Sequence, residues 1–409
     1  MNSHYHCLAC DDNDVELILD LGLQPLANRL LTQETLTEHE PRFPLRLGIC
    51  TACWMIQILD IIPPHELFSK YLYYSSFSDL LLRHAQSAAA QYITQFRLDS
   101  TSFVVEIASN DGYMLRNFVE AGIPCLGIEP ATDIARVARE KGVDTLNDFF
   151  NSRTARDLVD ARGHADMILA NNVFAHVPDI NDFLTGLNHL ITPEGIIVLE
   201  FPYAVDLLTA TEFDTIYHEH VFYFTLAALM PLFDRHKLRL FRIEKLTIHG
   251  GSLRTYLCKS KSHSIESSVE QLVDDEHNLG VRSLQFYRGF SDRVASIRQE
   301  LVRLLRELKR QGSSLAAYGA AAKGSTLLNY CNIATDVLDF VADRSPYKQG
   351  LFMPGTHLPI VPPSRLVEDL PDYTLLLTWN FAGEILKQQQ AYRNRGGRFI
   401  IPIPKVSIV

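Results

Sequence analysis

Apolar runs alternate with amphipathic stretches through the middle of the chain. The run Phe103-Val104-Val105 ends in an acid, Glu106. Small and polar residues follow, Ala108-Ser109-Asn110-Asp111-Gly112, and then a helical pattern begins. This reads as a buried parallel strand, a tight turn and a helix start. A second apolar run, Cys125-Leu126-Gly127-Ile128, again ends in an acid, Glu129. The pattern predicts strands over 104–108, 125–129, 143–146, 167–171 and 196–201. It predicts helices over 112–121, 132–141, 151–161 and 181–190, behind a leading amphipathic helix over 80–97. The βαβα rhythm implies a parallel sheet with helices on both faces. Ligands in such sheets bind beyond the carboxyl ends of the strands. Those ends carry Ala108 to Asp111, Glu129-Pro130, Asp148-Phe149-Phe150, Ala170-Asn171-Asn172 and Phe201-Pro202-Tyr203.

Beyond this unit the residues from about 264 to 310 are helical and charged, with one apolar face in LVRLLRELKR. A second α/β unit follows. A strand from 314 runs into the small-residue turn Tyr318-Gly319-Ala320-Ala321-Ala322-Lys323 and then a helix. A strand over 337–341 leads to Asp343-Arg344 and Lys348. A strand over 373–378 leads to Trp379-Asn380, and one over 399–403 closes the unit. The turn is open enough for a phosphate, and Lys323 and Lys348 supply charge for one. A duplicate unit serving only dimerisation is the plainer alternative.

Composition narrows the class. The chain has 409 residues, enough for two or three domains with ample core. A net charge of −10, without a block of basic residues, argues against gripping nucleic acid. No leader-like segment and no apolar run of about 18 residues are apparent, so no membrane partner and a cytoplasmic location are expected. Seven cysteines, four of them in two CxxC pairs, favour metal binding over a disulfide framework. Cys7, Cys10, Cys50 and Cys53 can close a tetrahedral site around a structural Zn2+, with no position left open for catalysis. A redox pair and a rubredoxin-like iron site are the alternatives.

The first α/β unit has the chemistry of a cofactor site. An acid at the tip of the second strand, Glu129, suits a ribose diol. The GxGxxG fingerprint is missing after the first strand, and Asp111 occupies the turn. An acid is a poor neighbour for pyrophosphate and a reasonable one for a sulfonium or an amine. S-adenosylmethionine (SAM) is therefore favoured over NAD. Asp148, after the third strand, could meet an adenine or simply cap a helix.

The densest polar cluster is Tyr217-His218-Glu219-His220. On an extended segment Tyr217 and Glu219 share one face, and His218 and His220 the other. A glutamate beside a histidine can orient the ring and raise its basicity, as a general base requires. His176 and His249 could point into the same cleft, although either alone is more often structural. An aromatic linker, Phe68 to Phe77 with Tyr71, Tyr73 and Tyr74, either packs between domains or covers a cleft.

The segments CLAC, CTAC, YLYYSS, EIASNDGYML, IYHEH, HGGSLR, AYGAAAKG, DRSPYKQG and PGTHLPI, in this order, resemble the nucleotide-sugar C-methyltransferases. These are zinc-containing, SAM-dependent enzymes that make branched deoxysugars by C-3 or C-5 methylation. The resemblance spans essentially the whole chain. It implies an α/β protein with an N-terminal zinc-binding domain (1–64), a central Rossmann-like SAM-dependent methyltransferase domain (65–262) and a C-terminal Rossmann-like α/β domain (263–409). It implies C-methylation beside the ketone of a dTDP-linked 4-keto-deoxysugar. His220 is then the base and Glu219 orients it, while Tyr217, Tyr71 and His176 donate to the enolate or share base duty. SAM would be held by Glu106, Ala108, Ser109, Asn110, Asp111, Gly112, Glu129, Pro130, Asp148, Phe149 and Asn171. The nucleotide sugar would meet Tyr74, Ser75 and His249, and in the C-terminal domain Tyr318, Gly319, Ala320, Lys323, Asp343, Arg344, Lys348, Trp379 and Asn380. Related enzymes often have glycine where Ala108 stands, and a slightly tighter approach to SAM is expected. His218 is not assigned to catalysis. A monomer or weak homo-oligomer is expected.

Three other readings compete. An NAD-dependent nucleotide-sugar oxidoreductase or epimerase would need the missing glycines. The acidic balance and the phosphate-ready second fold weigh against a zinc-ribbon methyltransferase acting on RNA or protein, and methylation of another small molecule is the remaining alternative. A nucleotide-sugar-binding protein without catalysis conflicts with the intact Tyr217, Glu219 and His220 cluster.

Overall fold

The computed structural model describes residues 5–68, 75–77, 79–246, 250–259 and 263–409. Near the N-terminus two short knuckles carry the paired cysteines. Each closes with the residue after its second cysteine in the left-handed region, Asp11 at φ 63° and Trp54 at φ 62°. In each, that residue's amide returns to the carbonyl of the first cysteine, Cys7 or Cys50. The knuckles flank strands β1 (Val15–Pro25), β2 (Arg42–Cys50) and β3 (Ile56–Ile58), which pair antiparallel in that order.

The central sheet follows the predicted rhythm. Strands β4 (Val104–Ile107), β5 (Cys125–Ile128), β6 (Thr145–Leu146), β7 (Ala165–Asn171) and β8 (Ile191–Pro202) lie in the order β8-β7-β4-β5-β6, all parallel. Their side chains alternate between two buried faces. Val104, Met167, Leu169 and Val198 meet the helix Asp79–Phe96 through Ala85, Ala89 and Tyr92. Val105, Ile168, Ala170 and Leu199 lie on the face packed by Leu158, Phe183 and Leu187. Burial on both faces is why these strands read as continuous apolar runs.

Two features of this region are not apparent in the sequence pattern. A two-residue strand, β9 (Phe222–Tyr223), leaves the central unit and joins the N-terminal sheet, pairing Tyr223 with Ile56 and Phe222 with Gln57. An antiparallel hairpin, β10 (Arg239–Leu246) and β11 (Ser252–Cys258), extends the central sheet past β8 to seven strands. Arg254 on β11 bonds Glu200 on β8 at 3.0 Å, and His84 of the leading helix reaches the same carboxylate at 3.1 Å. This buried network fixes that helix on the sheet.

The C-terminal unit has a sheet of its own, the third. Strands β12 (Leu315–Tyr318), β13 (Val341–Ala342), β14 (Ile360–Val361), β15 (Tyr373–Leu376) and β16 (Arg398–Ile401) run parallel in the order β14-β13-β12-β15-β16, and β17 (Ser407–Ile408) pairs antiparallel at one edge. The strand expected over 337–341 is confined to 341–342, because residues 335–337 form a turn. No helix among the described residues is long and apolar enough to cross a membrane.

Candidate active site and zinc centre

One cavity of about 840 Å³ opens where the three units meet. Its walls include Asn28 from the N-terminal unit, Ala108, Asn110, Glu129 and Asn171 from the central sheet, and Lys323, Lys348 and Thr378 from the C-terminal sheet. Tyr217, His220 and His176 lie on the wall as well.

The end beyond β4 and β5 is built by backbone conformation. Ala108, Asn110 and Gly112 all take positive φ, 53°, 51° and 77°. A left-handed alanine costs about 1–2 kcal/mol, so Ala108 carries strain as well as the expected extra methyl. Glu129 accepts hydrogen bonds from the amides of Asn110 (3.0 Å) and Ala131 (2.9 Å), one per oxygen. Each oxygen keeps a lone pair for a diol, and burial raises the carboxyl above its usual range. Pro130, Phe149, Asn171 and Ser75 complete this end, and the Ser75 amide donates to Asn110. The donor set fits a ribose-bearing cofactor such as SAM.

Several expected cofactor residues stand off this wall. Glu106 is buried in the sheet, beside Asn171, and burial keeps it well above the usual carboxylate range. Ser109 backs Gly127, and Gly112 packs on Val143. Asp111 does not face a cationic ligand: its carboxylate pairs with Lys141 at 2.8 Å and with Ser76 Oγ. Local ion pairing has claimed the acid that the sequence offers to SAM. Asp148 is exposed and bonds the amide of Phe149, while Asn151 caps the next helix, Ser152–Arg162.

The polar cluster is a turn, not an extended strand. The amide of His220 bonds the carbonyl of Tyr217, which brings these two side chains onto one side. Tyr217 Oη lies 2.9 Å from His220 Nε2. His220 Nδ1 lies 3.0 Å from the Thr215 carbonyl. A carbonyl only accepts, so Nδ1 carries the proton and Nε2 presents its lone pair toward the phenol. Thr215 therefore holds the ring, in place of the Glu219 carboxylate. Glu219 turns away, and both its oxygens accept from Asn28 Nδ2, at 2.7 and 2.9 Å. His218 is buried in the N-terminal unit, where Nε2 donates to the Pro44 carbonyl at 3.0 Å. His176 sits edge-on to His220 with ring centres 4.7 Å apart, and burial pushes it down to about 4. It is neutral near pH 7.

On the C-terminal wall the small-residue turn is already filled. Asp343 accepts from the Ala320 amide at 2.7 Å, and Lys348 Nζ donates to the Ala320 carbonyl at 2.7 Å. Gly319 is required there, at φ 97° with Thr378 against it. The turn amide expected to be open for phosphate is thus occupied by a carboxylate. Tyr318, Gly319, Ala320, Asp343, Arg344 and Trp379 lie off the cavity wall, and Arg344 is exposed. Lys323 lies on the wall, its ammonium 4.1 Å from the centre of the Trp379 ring. Trp379 Nε1 in turn bonds Asp214 at 2.8 Å. Among the described residues Lys323 Nζ, Thr378 Oγ1 and Asn380 Oδ1 are buried without a hydrogen-bond partner. All three residues line the cavity. Tyr71, Tyr74 and His249 lie outside the described residues.

The cysteine pairs converge. Their four sulfurs lie within 4.8 Å of one another. Cys7 to Cys53 is 3.5 Å and Cys10 to Cys50 is 3.6 Å, each pair joining one knuckle to the other. A zinc tetrahedron with about 2.3 Å bonds has sulfur–sulfur edges of about 3.8 Å. The set fits a structural zinc ion.

The sequence pattern does not single out Asn28, Thr215 or Thr378, all on the cavity wall. Asn28 sits in an unremarkable turn after β1, and Thr215 acts through its carbonyl, which no side-chain pattern reveals.

Three family models match in series. A "Putative zinc binding domain" matches residues 7–68, a "Methyltransferase domain" 81–241, and a "C-methyltransferase C-terminal domain" 247–404. The C-methyltransferase NovU of Streptomyces niveus is 34% identical over 404 residues, covering 98% of this chain and 96% of that protein. A ubiquinone biosynthesis O-methyltransferase of Rhodopseudomonas palustris (strain BisA53) is 32% identical over 99 residues, 24% of this chain and 38% of its own length. The SAM-bound magnesium protoporphyrin IX methyltransferase (ChlM) of Synechocystis PCC 6803 aligns at 12% identity over 44% of this chain and 79% of that one, with a TM-score of 0.34. That likeness is too low to carry an argument.

Proposed function

This chain belongs to the zinc-containing C-methyltransferases and is SAM-dependent, and we propose that it methylates a ring carbon beside the ketone of a nucleotide-linked 4-keto-deoxysugar, with dTDP as the carrier. The observation that carries this reading is the Tyr217–His220 pair, at 2.9 Å, on the wall of a cavity shared by the cofactor end and the C-terminal unit.

The chemistry needs a base for the proton on the carbon beside the carbonyl. His220 Nε2 takes that proton, directly or through the phenol of Tyr217. Thr215 keeps the proton on Nδ1 and stabilises the imidazolium that results. Neutral His176 beside it adds no opposing charge. The electron pair left on the carbon forms the new bond to the methyl group, so the sugar gains a methyl for a proton. Bound SAM supplies that methyl from a sulfonium and leaves as its neutral thioether. Glu129 and the left-handed turn at Ala108 to Gly112 hold the donor at one end of the cavity. Lys323, Thr378 and Asn380 offer unsatisfied polar atoms to the acceptor on the opposite wall, and a cation there would favour the enolate oxygen.

The test is incubation with methyl-labelled SAM and a panel of nucleotide-linked 4-keto sugars, with the label located by NMR. A new carbon–carbon bond beside the ketone is expected. Label on oxygen or nitrogen, or no transfer to any 4-keto sugar while another acceptor is methylated, would overturn the reading.

A further inference from the structure

We infer that Asn28, in the zinc-binding unit, is a substrate-positioning residue that presents its side-chain carbonyl to the cavity and accepts a hydrogen bond from a hydroxyl or amino group of the acceptor. The inference rests on the sugar-methylation reading above and adds a contact from a unit otherwise assigned only to folding.

Asn28 lies on the cavity wall, and buried Glu219 stands behind it. Both Glu219 oxygens are 2.7 and 2.9 Å from Asn28 Nδ2. The amide donates only through its nitrogen, which lies against both Glu219 oxygens, so its oxygen points away from Glu219. Oδ1 has no partner among the described residues and is not among the buried unsatisfied atoms, so it faces open space. A carbonyl held in this way selects a donor and rejects an acceptor.

The backbone just after Asn28 is tied to the C-terminal unit. Leu31 exchanges both main-chain hydrogen bonds with Phe352 of the C-terminal unit, at 2.9 and 2.8 Å. Separately, β3 of the N-terminal unit pairs with β9, two residues after His220. The hydrogen bonds to Glu219, the residue before His220, set the amide beside the base.

The experiment compares Asn28→Ala, Asn28→Asp and the pair Asn28→Asp with Glu219→Gln, using a nucleotide-linked 4-keto sugar that the wild type methylates. Asn28→Ala should raise the acceptor KM about tenfold with kcat within about twofold, the signature of lost ground-state binding. Calorimetric SAM affinity and zinc content should be unchanged. Asn28→Asp alone sets two carboxylates against each other and should be worse. The exchanged pair restores one donor facing one acceptor, keeps an acceptor toward the cavity, and should recover most of the wild-type KM. An unchanged KM in Asn28→Ala, or a pair no better than Asn28→Asp, would overturn the inference. If Asn28→Ala fails to fold, the exchanged pair decides. Failure of the wild type on every 4-keto sugar would count against the function reading, and the same variants would then be measured on whichever acceptor it does methylate.

Discussion

The phenol of Tyr217 stands 2.9 Å from Nε2 of His220, and Thr215 holds the opposite ring nitrogen through its carbonyl at 3.0 Å. The imidazole is thereby locked in one tautomer with its basic nitrogen toward the phenol. His220→Ala should abolish methyl transfer while SAM affinity, measured calorimetrically, is retained. Tyr217→Phe should lower kcat by about 10²- to 10⁴-fold, the range for a lost proton-transfer partner. Normal turnover by His220→Ala would remove it as the base.

Metal analysis should find about one zinc per chain, the count for one four-cysteine site. The knuckle, β3 and β9 are joined in series: the Leu8 amide and the His6 carbonyl hold Gln57, and Gln57 pairs with Phe222. Cys10→Ser should therefore lower the melting temperature and the methylation rate together. Iron in place of zinc would overturn the assignment of the N-terminal unit.

Ala108 holds φ 53°, a conformation that glycine adopts at little cost. Ala108→Gly should stabilise the folded protein by about 0.5–1 kcal/mol, the left-handed strain less the extra freedom of the unfolded chain. Urea denaturation at constant SAM concentration reads this directly. An unchanged or lower midpoint would mean that the methyl makes a compensating contact.

Burial pushes Glu219 up to about 7, against the Asn28 hydrogen bonds and the charge of Lys348, which lower it. A carboxyl raised in the folded state binds its proton more tightly there than in the unfolded chain. Its contribution is full below the ordinary value near 4.5 and is lost as pH rises from about 4.5 to 7. Glu219→Gln should flatten that part of the stability profile, so that the variant gains on the wild type at pH 8 relative to pH 5. Thermal unfolding across this range checks it, and parallel profiles would count against a raised Glu219.

The central sheet was legible because its strands are buried on both faces. Val104 and Val105 point to opposite cores, and a continuous apolar run is the necessary result. Boundaries were less legible where a special conformation intervenes. The helix expected over 112–121 begins at Arg116, because the residues before it are still in the turn that shapes the cofactor end. Of the polar cluster, Tyr217 and His220 line the cavity, and its internal geometry differs from the extended segment expected. An extended segment would separate Tyr217 from His220, and the observed turn joins them.

The sequence by itself determined what depends on neighbours along the chain: the CxxC knuckles, the apolar periods, and the acid Glu129 at a strand tip. Tertiary structure alone decided which partner each polar group meets. Glu219 takes Asn28, 191 residues away, and leaves His220 to Thr215. Asp111 takes Lys141, while Glu129 takes the amides of Asn110 and Ala131. A buried carboxylate goes to whichever donor the packing of three units brings within hydrogen-bond reach, and no local pattern encodes that choice.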